Sequence, residues 1–483
     1  MRLKELTEGV PYEAAGAVSE EEDIAFLTDR SYECGPGALF FAIRGSSADG
    51  GAYINDAARL GAKAYVAERA LNSDIPGVIV ADVRAAMAKM AANFYYNAHK
   101  NLDIIAVTGT NGKTTTCNMI AHILSENGSN TAVFGTLGAF INGRRIESRL
   151  TTPDPIELHR LFQIAYLSGV KYVVMEVSAH AIYLKKMAGV KAKIAVFTNL
   201  SRDHLDFFGD MESYAAAKTS YFTPGYAEYA VVNSDDETGR RIINSSRIPT
   251  AAYGIENPAD TFCIDYDCTR KIRCVVNSFD DIFELKTQFC GKFNLYNALA
   301  AVTAARVVGV KTEVIRRALF DMGEVDGRFN VLEGGKRVVI DYAHTPDGLK
   351  NLLAAARSFK GDLGRVIVVF GCGGDRDRGK RAQMGAVAAE YADFSVLTSD
   401  NPRTEDPALI ISDIEKGFPR EAARYIAIPD RGSAITYALL ISKRDDVVVI
   451  AGKGAENYLD VGGEKKPYSD RAEVLETFRR YNL

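Results

Sequence analysis

The residues that could do chemistry begin with T-G-T-N-G-K-T-T-T, residues 108–116. An apolar run, 103–107, leads into this segment, and an amphipathic stretch bearing Met119, Ile120, Ile123 and Leu124 leads out of it. A glycine-rich turn between a strand and a helix is a phosphate cradle. Gly109 and Gly112 let the main-chain N–H groups around Thr110 and Asn111 close on an anion, and the helix start adds partial positive charge. Lys113 would set its ammonium against the β and γ phosphates of a nucleoside triphosphate, and the hydroxyl of Thr114 or Thr115 would reach Mg²⁺. The loop is a shortened variant of GxxxxGK[ST], because Val107 stands where the first glycine would be. A plain capping turn does not account for a lysine directly after Gly112 with three threonines behind it.

Phosphoryl transfer asks for charge neutralisation more than for covalent help, so a divalent metal and its ligands are expected nearby. Glu176 closes the apolar run KYVVME and His204 follows KIAVFTNL. Both fall where a parallel sheet presents ligands, beyond the carboxyl ends of its strands. Each also has a structural alternative: a strand-end glutamate is commonly paired or solvated, and His204 in SRDHLD can cap a helix.

These residues need elements to position them. From Asp103 the chain alternates continuous apolar runs (DIIAVTG, KYVVMEVS, KIAVFTNL, YAVVNSDD) with helical stretches, the pattern of buried parallel strands. A second alternation starts near Arg337 (RVVIDYA, RVIVVFG, FSVLTSD, DVVVIAG), with helices expected over 380–391 and 431–443, and reads as a doubly wound, Rossmann-like domain. The first hundred residues read as a small α/β unit with strands near 38–43 and 64–67 and a helix over 83–96; the polar 97–101 reads as a linker. The expected domains are 1–98, 99–329 and 330–483, with the second break near VDGRFN. A length of 483 residues fits about three cores at roughly 150 residues per domain.

Composition narrows the function classes. With 58 basic against 62 acidic residues, a net charge of −4 and no block of like charge, nothing marks a nucleic-acid or membrane partner. The opening MRLKELTEGV lacks a signal-type apolar core and no apolar run reaches the ~18 residues of a membrane span, so a cytoplasmic monomer acting on small molecules is expected. The seven cysteines include no CxxC pair; Cys263, Cys268 and Cys274 are spaced wrongly for zinc and read as strand or core cysteines.

The loop GTNGKTT, followed in order by MEVSAHA, FTNLSRDHLDFFGDMESYAAAK, FNLYNALAA, DYAHTPD, GCGGDRDRGKR, DNPR and AGKGAE, resembles the Mur ligases of peptidoglycan synthesis over nearly the whole chain. The resemblance implies a domain for the uridine diphosphate end of the substrate, a central P-loop-type ATPase domain and a C-terminal domain that brings an amino acid. It further implies ATP and Mg²⁺ as cofactors, UDP-N-acetylmuramoyl-L-alanyl-D-glutamate (UDP-MurNAc-L-Ala-D-Glu) as acceptor of the γ-phosphoryl group, and meso-diaminopimelate as the incoming amine. In that reading Glu176 and His204 are magnesium ligands with Thr114, and Lys218 is carbamylated to an N6-carboxylysine beside the metal. Asn294, Asn297, Arg328, Asp341 and His344 hold the nucleotide. Thr151, Thr152, Ser178 and Lys186, with His180, touch the uridine-linked peptide or the phosphates.

For the amino acid, Asp400, Asn401 and Arg403 follow the run FSVLTS and should face the interdomain cleft. Meso-diaminopimelate differs from lysine by a carboxylate beside its far amine. Arg403 offers a planar fork for it, Arg376 a second cation, and Asp400 and Glu456 acceptors for the ammonium, with Gly452 opening the AGKGAE turn. The sequence departs from the family in places. TDRSYECGPGALF replaces the usual Asp-Ser-Arg opening, leaving Ser31 for the uracil and Ser46 and Ser47 beside the pyrophosphate. Lys186 stands where the family has arginine, Ala179 where it has serine, and Asn330 where a glutamate often falls. A lysine-adding Mur-type ligase, a folylpolyglutamate synthase-like ligase and a non-catalytic nucleotide-binding module are the competing readings. The last is disfavoured because Lys113, Glu176, His204 and Lys218 are all present.

Overall fold

The computed structural model describes residues 1–45, 48–148, 150–419 and 424–483. Among them, three large sheets follow one another along the chain. In the first, Phe26–Thr28, Ala38–Phe41, Ala62–Ala67 and Gly77–Ile79 run parallel, with Glu13–Ala15 antiparallel at the edge. The helix Val83–Phe94 covers it with Val83, Met87 and Met90; Asp82 caps the helix by accepting the N–H of Arg84 and Ala85. The polar stretch after it, expected as a linker, is a packed 3-10 turn, Ala98–Asn101, with His99 buried edge-on against His159 at 4.9 Å. Burial drops the imidazole pKa values to about 4 for His99 and about 3 for His159, so both rings are neutral and pack as apolar discs. A neutral histidine hides an apolar contact inside a polar-looking sequence.

The central sheet has eleven strands. Its parallel body runs from Thr261–Asp267 through Thr250–Gly254, Ala227–Asn233, Ala192–Phe197, Asp103–Thr108 and Tyr172–Glu176 to Thr131–Gly135. Strand residues alternate faces, so Ile105 and Val107 meet the helices Lys113–Glu126 and Lys292–Val307, whereas Ile104 and Ala106 meet Pro155–Leu167. Covering both faces is why these strands are apolar without interruption. Each fully buried Leu or Ile there is worth about 1.5–3 kcal/mol. Antiparallel pairs extend both edges: Gly138–Ile141 with Arg144–Ile146, and Arg273–Ser278 with Asp281–Lys286. Cys263, in Thr261–Asp267, and Cys274, in the extension beside it, are buried, and all seven cysteines are free thiols.

The third sheet is doubly wound. Arg337–Asp341, Val447–Ala451, Val366–Phe370, Phe394–Leu397 and Tyr425–Ala427 lie parallel in that order, with Asn330–Glu333 antiparallel at the edge. Pro346–Ala356, Gly379–Tyr391 and Pro407–Glu415 cover one face; Arg431–Ile441 and Asp470–Tyr481 cover the other. Its carboxyl rim collects Asp341 and the segments 371–376, 398–403 and 452–456. Among the described residues no helix is long and apolar enough to cross a membrane.

Candidate active site

The strand Asp103–Thr108 sits between Ala192–Phe197 and Tyr172–Glu176; the chain leaves it toward one edge of the sheet and later crosses from Tyr172–Glu176 to Ala192–Phe197, heading for the other. Such a switch point opens a crevice at the carboxyl edge. Here it holds a cavity of about 830 Å³ floored by Thr110, Asn111, Gly112, Lys113, Thr114 and Thr115. Asn199 Oδ1 and Asn199 O accept the N–H groups of Asn111 (2.9 Å) and Thr110 (2.8 Å), fixing the loop to the next strand. Lys113 Nζ donates to the carbonyls of Gly109 (3.0 Å) and Thr110 (2.8 Å), and burial pulls its pKa down against the opposing fields of Glu176 and Asp203.

Gly112 has φ +85°, and a Cβ added there would run into Asn297 Oδ1. The left-handed conformation alone costs a side chain about 1–2 kcal/mol, so Gly112→Ala should weaken ATP binding about tenfold in a folded protein. Isothermal titration with ATP checks this; wild-type affinity would show that the loop conformation is unimportant.

Glu176, 1% exposed, is the centre of a hydroxyl cluster. Its Oε1 accepts from Thr114 Oγ1 (2.9 Å) and from the N–H of Thr136 (2.8 Å), and its Oε2 accepts from Thr136 Oγ1 (3.1 Å). Thr151 Oγ1 lies 3.2 Å from Thr136 Oγ1. Thr152 donates to the Glu176 carbonyl and accepts the N–H of Ser178, which in turn caps the helix Ala179–Tyr183. Lys186 enters the same wall, paired with Asp154 at 2.7 Å and donating to Thr152 O. Thr136 escaped sequence reading because the run TAVFG before it was not among the strands recognised; it directly follows the strand Thr131–Gly135, whereas Glu176 is the last residue of its own.

His204 lies opposite, in a left-handed turn with φ +56°. Burial lowers its pKa to about 3, so the imidazole is a neutral donor atom. Its ring meets His180 edge-on at 4.7 Å, and its Nε2 is 3.3 Å from Asp203. Lys218 comes up from the helix Met211–Thr219, 1% exposed, donating to Gly109 O at 2.8 Å beneath the Tyr214 ring. Burial, reinforced by Lys113, pushes its pKa well below that of a free lysine. Two amines therefore share one carbonyl in the floor of the cavity.

The third domain forms the roof. Arg328 Nη2 donates to Thr114 Oγ1 (2.8 Å) with its guanidinium 4.3 Å from the Tyr342 ring. Asp341 accepts the N–H groups of Phe329 and Ala343, and burial raises its pKa while Arg328 opposes the shift. His344 Nε2 and Lys380 Nζ face Asp203 at 3.6 and 3.4 Å, and Arg202 pairs with Asp377 through two bonds of 3.0 and 3.2 Å. The residues just before His204 thus fasten the roof, and none of Arg202, Asp203, Asp377 and Lys380 was singled out from sequence. Asn297 lines the cavity; Asn294 does not, but accepts from Asn297 Nδ2 (3.0 Å) behind it.

Arg376 lines the cavity, and both its Cγ and Arg403 Nη1 lie within 4 Å of where a Cβ on Gly373 would be. Arg403 itself, at φ +52°, donates to Gly374 O (2.6 Å). Asn401 and Glu456 are linked at 3.0 Å, both receive Lys453 Nζ, and a Cβ on Gly452 would stand 2.5 Å from Asp400 Oδ2. On the other side, Ser31 opens the turn Ser31–Glu33. Thr28, Asp29 and Arg30 line a second cavity of about 570 Å³ with Tyr95, Asp154 and Arg160. Asp154, through Lys186, joins the two cavities. Ser46 and Ser47 lie outside the described residues.

A nucleotide-loop domain roofed by a doubly wound domain, with a smaller α/β domain beside it, is the Mur ligase architecture, and family models agree. The Mur ligase family catalytic domain matches residues 23–95, the Mur ligase middle domain 107–305, and the Mur ligase glutamate ligase domain 327–454. The chain belongs to the Mur ligase family. It is 42% identical over 482 residues to the UDP-N-acetylmuramoyl-L-alanyl-D-glutamate–2,6-diaminopimelate ligase of Caldanaerobacter subterraneus subsp. tengcongensis, covering 99% of this chain and 98% of that one. It is 38% identical over 488 residues to the enzyme of the same name from Listeria monocytogenes, covering 98% of each. A solved structure of a UDP-N-acetylmuramoyl-L-alanyl-D-glutamate–2,6-diaminopimelate ligase superposes with a TM-score of 0.69 at 31% identity, covering 100% of this chain and 99% of that one. Folylpolyglutamate synthase of Mycobacterium tuberculosis shares the fold over 76% of this chain and 92% of its own, with a TM-score of 0.65 at 17% identity.

Proposed function

We propose that this protein is an ATP-dependent ligase that joins meso-diaminopimelate to UDP-MurNAc-L-Ala-D-Glu in the cytoplasm. The observation that carries the reading is convergence: Lys113, Glu176, His204, Arg328 and Arg376 line one cavity, with Lys218 beneath its loop. The donor set suits Mg²⁺, which prefers oxygen ligands and accepts a neutral imidazole: the Glu176 carboxylate, the Thr114 hydroxyl and His204 would hold it. Bound there, it would neutralise charge on the phosphates. Burial lowers the basicity of Lys218, favouring the free amine that can attack CO₂; an N–C bond forms, the nitrogen loses a proton, and a carbamate anion stands where an ammonium would be repelled by Lys113.

In the reaction, an oxygen of the D-glutamyl side-chain carboxylate attacks the γ-phosphorus, the bond to the bridging oxygen breaks, and ADP leaves an acyl phosphate. Lys113 and Arg328 are placed to meet the charge that spreads over the phosphoryl oxygens. The amine of the amino acid then attacks the carbonyl carbon; phosphate departs, a proton is lost and an amide remains. Thr152, Ser178 and Lys186 provide the wall along which the peptide end would lie.

Acceptor choice rests on Arg403 and Arg376. Lysine would leave the half-buried Arg403 and the exposed Arg376 without a carboxylate, and losing a charge-assisted hydrogen-bond partner there costs about 1.5–3 kcal/mol, a discrimination of about tenfold to a hundredfold. Steady-state kinetics should therefore show kcat/KM for meso-diaminopimelate exceeding that for L-lysine by about that factor, and Arg403→Ala should erase most of the preference. Equal use of the two amino acids by the wild type would sink the reading.

A further inference from the structure

Arg431, the first residue of the helix Arg431–Ile441, and Asp470, the first of Asp470–Tyr481, form an ion pair in which both side chains are 0% exposed. Nε and Nη2 of the guanidinium each donate to one carboxylate oxygen at 2.7 Å. Two further donors go to main chain: Nη2 to Ala451 O (3.0 Å) and Nη1 to Ser399 O (3.2 Å). Those two carbonyls belong to the residues immediately before Gly452 and Asp400. The strands that lead to them, Val447–Ala451 and Phe394–Leu397, are not neighbours; each pairs with Val366–Phe370 between them, and no ladder hydrogen bond joins the two segments directly beyond the strand ends. The guanidinium spans the gap. Beyond it the two segments meet as one wall, through Asn401 with Lys453 and Glu456 and through Gly452 against Asp400.

We propose that Arg431, held by Asp470, is a positioning residue for the amino-acid site, fixing the separation of the roots of 399–403 and 451–456. This rests on the reading above that those segments receive the incoming amino acid. A planar fork with five donors can serve two carboxylate oxygens and two divergent carbonyls at once; an ammonium on a flexible stem cannot. A buried pair kept for packing alone would be replaced by apolar residues of similar volume with no effect on the segments 399–403 and 451–456.

The double variant R431M/D470L removes both charges and keeps the volume. It should unfold cooperatively near the wild-type temperature, keep KM for ATP within about twofold, and raise KM for meso-diaminopimelate about tenfold or more. Amide hydrogen exchange at 400–403 and 453–456 should quicken. Arg431→Lys, which keeps the charge opposite Asp470, should raise the same KM and leave that for ATP alone. A folded double variant with wild-type KM for the amino acid and wild-type exchange would overturn the proposal. So would an Arg431→Lys enzyme with wild-type KM, or equal rises in both KM values. Exchange needs no substrate: unchanged exchange sinks the clamp whatever the enzyme uses. Quickened exchange in a protein whose wild type ignores meso-diaminopimelate sinks the functional reading and leaves the clamp.

Discussion

Lys113→Ala should abolish nearly all turnover while the protein stays folded and still binds ATP. The ammonium is held by Gly109 O and Thr110 O, and the proposed reaction sets the γ-phosphoryl group against it. Charge on that group spreads as the bond to ADP breaks, so a cation there stabilises the transition state more than the ground state. Losing one such contact in a water-poor site typically costs about 3–4 kcal/mol, or about 10²–10³ in kcat. Removing a side chain at a helix start should not unfold the domain, since the helix Lys113–Glu126 is fixed by Met119, Ile120, Ile123 and Leu124 in the core. Single-turnover kinetics beside ATP titration would check the split: kcat falls far more than affinity. An equal loss in both would make Lys113 a binding group only.

Lys218→Ala should be nearly as damaging, and reparable. With Gly109 O shared between the two amines, an unmodified Lys218 ammonium would add repulsion at the place where anionic ligation is wanted. Burial, reinforced by Lys113, depresses its pKa and so favours the free amine, the form that reacts with CO₂. If the working species is the carbamate, the alanine variant should lose about two to three orders of magnitude in kcat. Formate or acetate, entering the space vacated, should return a measurable part of it. Wild-type enzyme stripped of CO₂ should weaken and recover with bicarbonate. Full activity in Lys218→Ala, or a loss that no small carboxylate repairs, would contradict the carbamate.

The parts of this site written locally in sequence were legible there. Gly112 beside Lys113 identifies the cradle because the turn's backbone demands and its charge are encoded within a few residues. Glu176 and His204 stood out in sequence because Glu176 closes an apolar run and His204 lies in the loop that follows one, and run ends are where a parallel sheet presents side chains. Contacts that depend on tertiary closure were not. Asp203 stands next to His204 in the chain, yet its partners Lys380 and His344 come from a different domain. Thr136 supplies two hydrogen bonds to Glu176 from a strand whose composition, TAVFG, is too short and too mild to stand out. The antiparallel extension Asp281–Lys286 alternates buried and exposed positions, and that half-covered pattern was lost among the continuous runs of the parallel body. The turn at His99 failed for a different reason: a histidine is scored as polar, but burial beside His159 keeps it neutral and lets its ring pack.

The passage of an oxygen atom tests the acyl-phosphate route most directly. When UDP-MurNAc-L-Ala-D-Glu carries ¹⁸O in its D-glutamyl side-chain carboxylate, turnover with ATP and meso-diaminopimelate should place one ¹⁸O in each phosphate released, because the attacking oxygen leaves with phosphorus when the amine displaces it. Phosphate free of ¹⁸O, in an enzyme that still forms the amide, would contradict the acyl-phosphate route.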